Sequence, residues 1–145
     1  MKAIRILPCI LAGALVADAT TGARAGEAFK EVEVKAKLVE IPSKFPPVDL
    51  YDYAYVMKYE VVDGDLKGQT LLVAHFNPRV QRKKVKGPVK KYVDGTLRRF
   101  KVGAVHQMRL TPDLEKIWND AVVDEYFATD RKSTRYWCLK VDEAD

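Results

Sequence analysis

The stretch that decides the fold is LYDYAYVMKYEVVDGDLKGQTLLVAHF, residues 50–76. Its first run, 50–62, alternates between two faces and is rich in tyrosine and valine, which indicates a β-strand. The second run, 69–76, is short, apolar and bounded by turn residues. Between them, DGDLKG (63–68) supplies acids and glycines, the residue types that tight turns favour. The sequence therefore predicts a β-hairpin at the centre of the chain.

A row of aromatic side chains occupies one face of the first run of this hairpin. Its members are Tyr51, Tyr53, Tyr55 and Tyr59. Towards the carboxyl end the row becomes aliphatic, which is typical of a face that packs on a core. Tyr51 and Tyr53 instead neighbour two aspartates, so we expect them to be solvent-exposed and able to stack on a sugar or a base.

Alternation with a period of two recurs on both sides of the hairpin. KEVEVKAKLVEI (30–41) places apolar side chains on one face and charged ones on the other, as expected of a strand that covers a core. Three prolines in PSKFPPVD (42–49) then take the chain out of the sheet, because proline cannot donate a ladder hydrogen bond. GAVHQMRL (103–110) alternates again and predicts a further strand.

The carboxyl-terminal part is predicted to contain one helix and a last strand. TPDLEKIWNDAV (111–122) begins with a capping threonine and a proline, and its apolar residues follow the i, i+3, i+4 spacing of an amphipathic helix. RYWCLKV (135–141) reads as a strand. Its buried face is predicted to comprise Trp137, Leu139 and Val141. Cys138 is expected on the opposite face.

Several short strands, a glycine-containing hairpin turn and one short helix define the fold class. We predict a mainly β protein, a small closed or half-closed antiparallel barrel with one short helix. A two-layer β-sandwich is the alternative, because short alternating strands are common to both architectures.

Two segments resemble a known class of secreted modules. The resemblance is to modules with the oligonucleotide/oligosaccharide-binding (OB) fold, such as netrin-like domains. Their strand–turn–strand is similar to YVMKYEVVDGDLKGQTLLV (55–73), and their later Phe-x-x-Gly strand is similar to FKVGAVHQMRL (100–110). The resemblance covers residues 53–110. It implies a binding module more than an enzyme, although a fold does not fix a function.

The first 25 residues have the layout of a secretory signal peptide. Lys2 and Arg5 precede the apolar run ILPCILAGALVA, and a small-residue stretch ends at Ala25. That run is about 12 residues long, whereas a membrane-spanning helix needs roughly 20. We therefore expect cleavage after Ala25, export to the periplasm or the exterior, and one domain over residues 26–145. Cys138 would then be the only cysteine, so no intrachain disulfide could form.

Positive charge is concentrated in RVQRKKVKGPVKKYVDGTLRRFK, residues 79–101. Ten bases and one acid, Asp94, give this stretch a formal charge of +9, whereas the whole chain carries +5. Interleaved valines and aromatics predict an ordered ribbon of strands with a turn at VDGT (93–96), although a charge run can also be no more than a solvated loop. The candidate ligand-binding cations are Arg79, Arg82, Lys83, Lys84, Lys86, Lys90, Lys91, Arg98 and Arg99.

Two histidines, His75 and His106, are the candidate groups for catalysis or metal binding. They lie on predicted strands and could approach each other across the sheet. Neither belongs to the paired His or Cys spacing of a structural zinc site, so the favoured interpretation is a half-buried histidine with a backbone or tyrosine partner. A small enzyme or a metal-binding protein that uses both histidines is the alternative. No cofactor is predicted.

These patterns together predict an exported, non-catalytic binding or accessory protein. Its basic stretch and nearby tyrosines would contact an acidic polysaccharide or an acidic envelope protein, which fit both the charge and the compartment. A membrane surface ranks second. Nucleic acid ranks third, because an exported protein seldom meets it and the chain has no recognition motif. A structural subunit of an envelope complex is a further alternative.

Overall fold

The computed structural model describes residues 29–144, so the predicted leader lies outside the described residues. The strands are β1 (Val32–Glu40), β2 (Ala54–Asp63), β3 (Thr70–Phe76), β4 (Asp94–Gly95), β5 (Val105–Thr111), β6 (Val122–Val123) and β7 (Arg135–Glu143). The helical segments are two 3₁₀ helices, Arg82–Lys84 and Pro88–Tyr92, and the one-turn α-helix α1 (Leu114–Ile117).

Five of the strands form a ring. Going around it, β1 pairs with β2, β2 with β3, β3 with β7, β7 with β5, and β5 returns to β1. Every pair in the ring is antiparallel except β3 with β7, which run parallel. A five-stranded Greek-key ring is the architecture of an OB-like barrel. The predicted barrel is therefore confirmed, and the chain does not adopt the alternative sandwich.

Alternate residues of β1 and β2 fill the interior of this ring. They are Val34, Ala36, Leu38, Tyr55, Met57, Tyr59 and Val61, all 0–1% exposed. Because successive side chains of a strand point to opposite faces, the period-two pattern of the sequence selects these residues for the core. The hairpin predicted from residues 50–76 is also confirmed, since β2 pairs with β3 from Ala54 opposite Phe76 to Glu60 opposite Thr70.

A second apolar layer lies outside the ring, against β2, β3 and β7. Its strand residues are Ala54, Val56, Leu72, Ala74, Phe76, Trp137 and Leu139. The segment between β3 and β5 covers this layer with Val85 and Val93, and the region around α1 adds Ile117 and Trp118. Since β2 and β3 are covered on both faces, the run LLVA in β3 is apolar without alternation.

The last strand departs from the predicted arrangement of its side chains. Cys138 lies in the interior cluster with Val141, whereas Trp137 and Leu139 lie in the outer layer. The cause is a shift in pairing between β5 and β7, where Arg109 faces Lys140 but Leu110 faces Cys138. At this bulge Leu139 has no partner on β5, so the alternation of inward and outward side chains shifts by one residue along the strand. The prediction that Cys138 lies on the face opposite Trp137 and Leu139 is therefore confirmed. The prediction that Val141 shares the face of Trp137 and Leu139 is wrong, and both faces are buried.

The predicted helix over residues 111–122 is much shorter in the structure. It is reduced to α1, and Trp118, at its end, is already extended at φ −135° and ψ 120°. The chain turns away because Val122 pairs with Ala54 of β2, which extends the sheet through β6. The Trp118 indole N–H donates to the Ala121 carbonyl at 2.9 Å and fixes the turn. Tertiary pairing thus overrides the helical propensity of this sequence.

The basic stretch 79–101 is ordered, but it is not the predicted ribbon of strands. It forms the two 3₁₀ helices and then β4, which lies parallel to β7 with Gly95 opposite Val141. The expected turn at residues 93–96 is thus replaced by a short strand. Its buried apolar residues are at positions 85, 93 and 97, which do not follow the period of two of an extended strand. The chain therefore bends so that each of them reaches a core.

Candidate functional site

Nine cations of the 79–101 stretch are exposed and form what we call the basic surface; one of them, Lys90, also donates its Nζ to the Arg82 carbonyl at 3.1 Å. They are Arg79, Lys83, Lys84, Lys86, Lys90, Lys91, Arg98, Arg99 and Lys101. Within residues 29–144, none of the nine forms a salt bridge with a carboxylate. Asp94 is the only acid of the stretch and is itself exposed. The basic surface therefore carries a large charge that the chain does not neutralise locally.

The backbone beneath the basic surface is anchored to the barrel. Val85 and Val93 are buried in the outer layer, and Leu97 reaches the interior cluster. Thr96 and Leu97 both donate their backbone N–H to the Val141 carbonyl, at 3.2 and 3.3 Å. Because these contacts fix the chain at several points, the cations extend from a defined backbone rather than from a free loop.

Arg82 is the exception among the predicted ligand-binding cations, because its side chain is only 2% exposed. Its guanidinium donates to the carbonyls of Phe76, Asn77 and Val80 at 2.7–2.8 Å, which fixes the chain where it leaves β3. Burial lowers its pKa to about 10. The prediction that Arg82 contacts a ligand is therefore wrong. No local sequence signal separates it from its exposed neighbours Lys83 and Lys84.

The two candidate stacking tyrosines have different environments. Tyr51 is 45% exposed and remains available to a ligand. Tyr53 is fully buried, donates its hydroxyl to the Pro46 carbonyl at 2.7 Å, and has its pKa raised to about 12 by burial. The proline-rich segment 42–49 folds over this part of β2 and covers Tyr53. The expectation that Tyr53 is solvent-exposed is therefore wrong.

The two histidines meet inside the barrel through one tyrosine hydroxyl. Tyr59 Oη lies 3.0 Å from His75 Nε2 and 3.1 Å from His106 Nδ1. A hydroxyl has one proton, so it donates to one imidazole and accepts an N–H from the other. The remaining ring nitrogens, His75 Nδ1 and His106 Nε2, are buried and have no hydrogen-bond partner within the described residues.

Burial keeps both imidazoles neutral. It lowers the pKa of His106 to about 4, and it lowers the pKa of His75 well below its usual value, to which the positive charges of Arg82 and of a protonated His106 also contribute. Phe100 closes over the pair, with its ring centroid 4.4 Å from that of His75. Both histidines are 0–1% exposed, so neither presents a nitrogen to a solute.

The chemistry around this buried pair is limited by its neighbours. Burial raises the pKa of the Cys138 thiol to about 12, so the thiolate that a nucleophile requires is disfavoured. In the part of the chain that the structure describes, no three His, Cys, Asp or Glu side chains are arranged to hold a metal ion. The cluster is therefore a set of neutral hydrogen-bonding groups within the core.

A groove beside the basic surface was not predicted from the sequence. It has a volume of about 330 Å³ and lies between the 3₁₀ helix Pro88–Tyr92 and the residues after α1. Its main side chains are Lys86, Lys91, Tyr92, Ile117 and Trp118. We call it the Trp118 groove. The amphipathic spacing places Trp118 on the apolar face of the predicted helix. In the structure its backbone is extended, and the residue packs on the outer layer but stays partly exposed.

A cavity larger than the Trp118 groove lies on another part of the molecule. It has a volume of about 650 Å³ and is bordered by the segments 112–116 and 131–135. Two of its lining residues already pair with each other, because Arg135 Nε lies 2.7 Å from Asp124 Oδ2.

Comparisons of the chain with models of protein families, with curated proteins and with solved structures find no match. Between residues 29 and 144, none of the helical segments has the length and apolar character needed to cross a membrane. The functional conclusion must therefore come from the geometry and charge of the chain itself.

Proposed function

We propose that this chain is an exported, non-catalytic binding or accessory protein that contacts an anionic ligand through its basic surface. The ligand is an acidic polysaccharide or an acidic envelope protein. The observation that supports this proposal most is the set of nine exposed cations on an anchored backbone, without a carboxylate salt-bridge partner in residues 29–144.

Electrostatics gives the physical reason. In water, two unit charges about 4 Å apart repel by roughly 1 kcal/mol, and the anchored backbone limits how far the cations can move apart. A polyanion relieves this repulsion and releases its own condensed counterions on binding. The buried histidine pair, by comparison, has no exposed atom that could contact a substrate.

Reversing the charge of the basic surface should abolish polyanion binding while the barrel stays folded. The test variant replaces five exposed cations with Glu, at Arg79, Lys83, Lys84, Lys91 and Arg98; Lys90 is kept because its Nζ donates to the Arg82 carbonyl at 3.1 Å. The formal charge of residues 79–101 then changes from +9 to −1. Arg82 is left intact because its guanidinium holds three carbonyls. Binding to heparin as a model polyanion is measured by titration calorimetry at several salt concentrations.

A matched control separates the basic surface from the net charge of the protein. It carries five exposed Lys→Glu changes outside the stretch, at Lys30, Lys37, Lys44, Lys67 and Lys132. Both variants change the net charge equally, and only the first should lose binding. On a stiff duplex polyanion, five engaged cations would give a log–log salt slope of about −4 to −5, and a polysaccharide should give a shallower one. Equal loss in both variants, or binding insensitive to salt, would refute the proposal.

The proposed export has its own test, which does not depend on the ligand. We expect the mature protein to begin at Gly26, because the sequence before it ends in Ala-x-Ala. Intact-mass spectrometry of the protein recovered from outside the cytoplasm measures this directly. A mass that still includes Met1, or a lipid on Cys9, would contradict it.

A further inference from the structure

The Trp118 groove places cations of the basic surface beside aromatic and aliphatic side chains. Lys86 and Lys91 border it with exposed ammonium groups, while Tyr92, Ile117 and Trp118 form partly exposed apolar walls. Its volume of about 330 Å³ falls within the roughly 300–1,000 Å³ of small-molecule sites. A purely electrostatic contact with a polymer would need no such apolar depression.

The aromatic walls of the groove are held in place by the outer layer. The Trp118 ring packs edge-on against Phe76, at a centroid distance of 5.2 Å, and stacks near Trp137 at 6.3 Å. The indole N–H is already used by the Ala121 carbonyl. What Trp118 offers a ligand is therefore a fixed apolar ring surface and not a hydrogen-bond donor.

The charged groups of the groove point to an anion. Lys91 Nζ lies 4.9 Å above the Tyr92 ring, so this cation and this aromatic surface are adjacent. Asp52, the one acid that lines the groove, accepts a hydrogen bond from the Asn77 side chain at 2.8 Å. Positive charge thus borders the groove on the side of the 3₁₀ helix.

We propose that the Trp118 groove binds one acidic sugar unit of a polysaccharide, with the ring on Trp118 and Tyr92 and the acid group on Lys86 and Lys91. A sugar ring has a flat face of C–H bonds that packs on the electron-rich face of an aromatic ring. A uronic acid adds a carboxylate at the ring edge, where an ammonium group can reach it. This inference rests on the proposed function and narrows its ligand to an acidic glycan.

The test compares two double variants with the same change of charge. Lys86→Glu with Lys91→Glu removes the cations of the groove, and Arg98→Glu with Arg99→Glu removes two exposed cations outside it. The probes are a galacturonic acid oligomer, which has sugar rings, and linear polyphosphate, which has none. We expect the first variant to bind the galacturonic acid oligomer at least tenfold more weakly than the second. Both should bind polyphosphate equally.

Tryptophan fluorescence tests the aromatic wall directly, because binding to the cations alone should not change the emission of Trp118. Trp118 and Trp137 are the two tryptophans of the chain, and Trp137 is fully buried. The galacturonic acid oligomer should change the emission of the wild type, and the change should disappear in Trp118→Phe, which keeps an aromatic ring against Phe76. Affinity for the oligomer should fall severalfold in this variant. Circular dichroism checks that the variant is folded.

The possible failures can be told apart. If both double variants lose affinity for the galacturonic acid oligomer equally, or if only polyphosphate binds, the sugar groove is wrong and the basic surface remains the binding surface. If neither double variant changes the binding of either probe, the proposed function is wrong as well. If the galacturonic acid oligomer changes the emission of Trp118→Phe as much as that of the wild type, the groove is also wrong.

Discussion

Replacing Gly95 with Ala is expected to lower the free energy of unfolding by about 4 kcal/mol or more, at the extreme of what single substitutions cause. Gly95 has φ +115°, and a Cβ at this position would overlap the backbone of Val141, including its carbonyl oxygen. Backbone cannot rotate aside as a long side chain can, so β4 would have to separate from β7. That separation would also break the hydrogen bonds that Thr96 and Leu97 donate to Val141.

Urea unfolding followed by tryptophan fluorescence measures the effect, and Gly103→Ala is the matched control. Gly103 also has a positive φ, +93°, but a Cβ there would meet no atom within 4 Å. The control should lose only about 1–2 kcal/mol, the cost of the backbone conformation alone. Domains have a total stability of about 5–15 kcal/mol, so the Gly95 variant should be partly unfolded or unstable to mild heating. Equal losses in the two variants would show that the contact with Val141 is not the cause.

The barrel is expected to lose about 3 kcal/mol of stability from His106 alone as the pH falls from 6.5 to about 4. Burial lowers the pKa of His106 from 6.5 to about 4, and one pKa unit corresponds to about 1.4 kcal/mol. Within this pH range His106 is protonated in the unfolded chain and neutral in the folded barrel. Acid therefore favours unfolding. The contribution is fully present above about pH 6.5 and is lost towards pH 4. His75 acts in the same direction, because its pKa is also lowered.

The pH dependence is measured from urea midpoints between pH 4 and 7.5, in the wild type and in His106→Gln. The variant should be less stable at pH 7, because it changes a partner of Tyr59, but its stability should depend less on pH over this range. The comparison removes the contribution of carboxylates, which both proteins share. Heparin binding at pH 7 should be the same in both if His106 has only a packing role. Identical pH profiles would contradict the assignment of the acid sensitivity to His106.

The ring of strands was accessible from the sequence because burial on one face imposes a period of two. β1 shows this most clearly, with Val34, Ala36 and Leu38 inside the barrel. The pattern fails where pairing is irregular or both faces are covered. A bulge opposite Leu110 places Val141 on the interior face with Cys138, and no residue of RYWCLKV signals that shift. The helix after Thr111 is shortened by pairing with β2, a contact 68 residues away in the chain.

The candidate site was predictable in composition but not in geometry. Counting charges identifies the 79–101 stretch, because a high density of cations is visible in the sequence whatever conformation the backbone adopts. For the same reason it cannot show which path is taken, or that Arg82 turns inward while Lys83 and Lys84 do not. Burial of Tyr53 depends on the proline-rich segment folding back over β2, and the Trp118 groove depends on two segments meeting. The first contact joins residues seven positions apart across a proline-rich turn, and the second joins segments that are distant in the chain, so neither follows from a local pattern.

The parallel pairing of β3 with β7 restricts the order in which the strands of the ring can pair during folding. Only β1 with β2 and β2 with β3 join strands that follow one another closely, so a three-stranded meander is the part that can form from local contacts. The ring closes only when Arg135–Glu143 inserts between β3 and β5. Pairings at such sequence separation slow folding. Until Arg135–Glu143 has been synthesised, the ring therefore cannot close, and the edges of β3 and β5 that this strand later joins stay unpaired with each other.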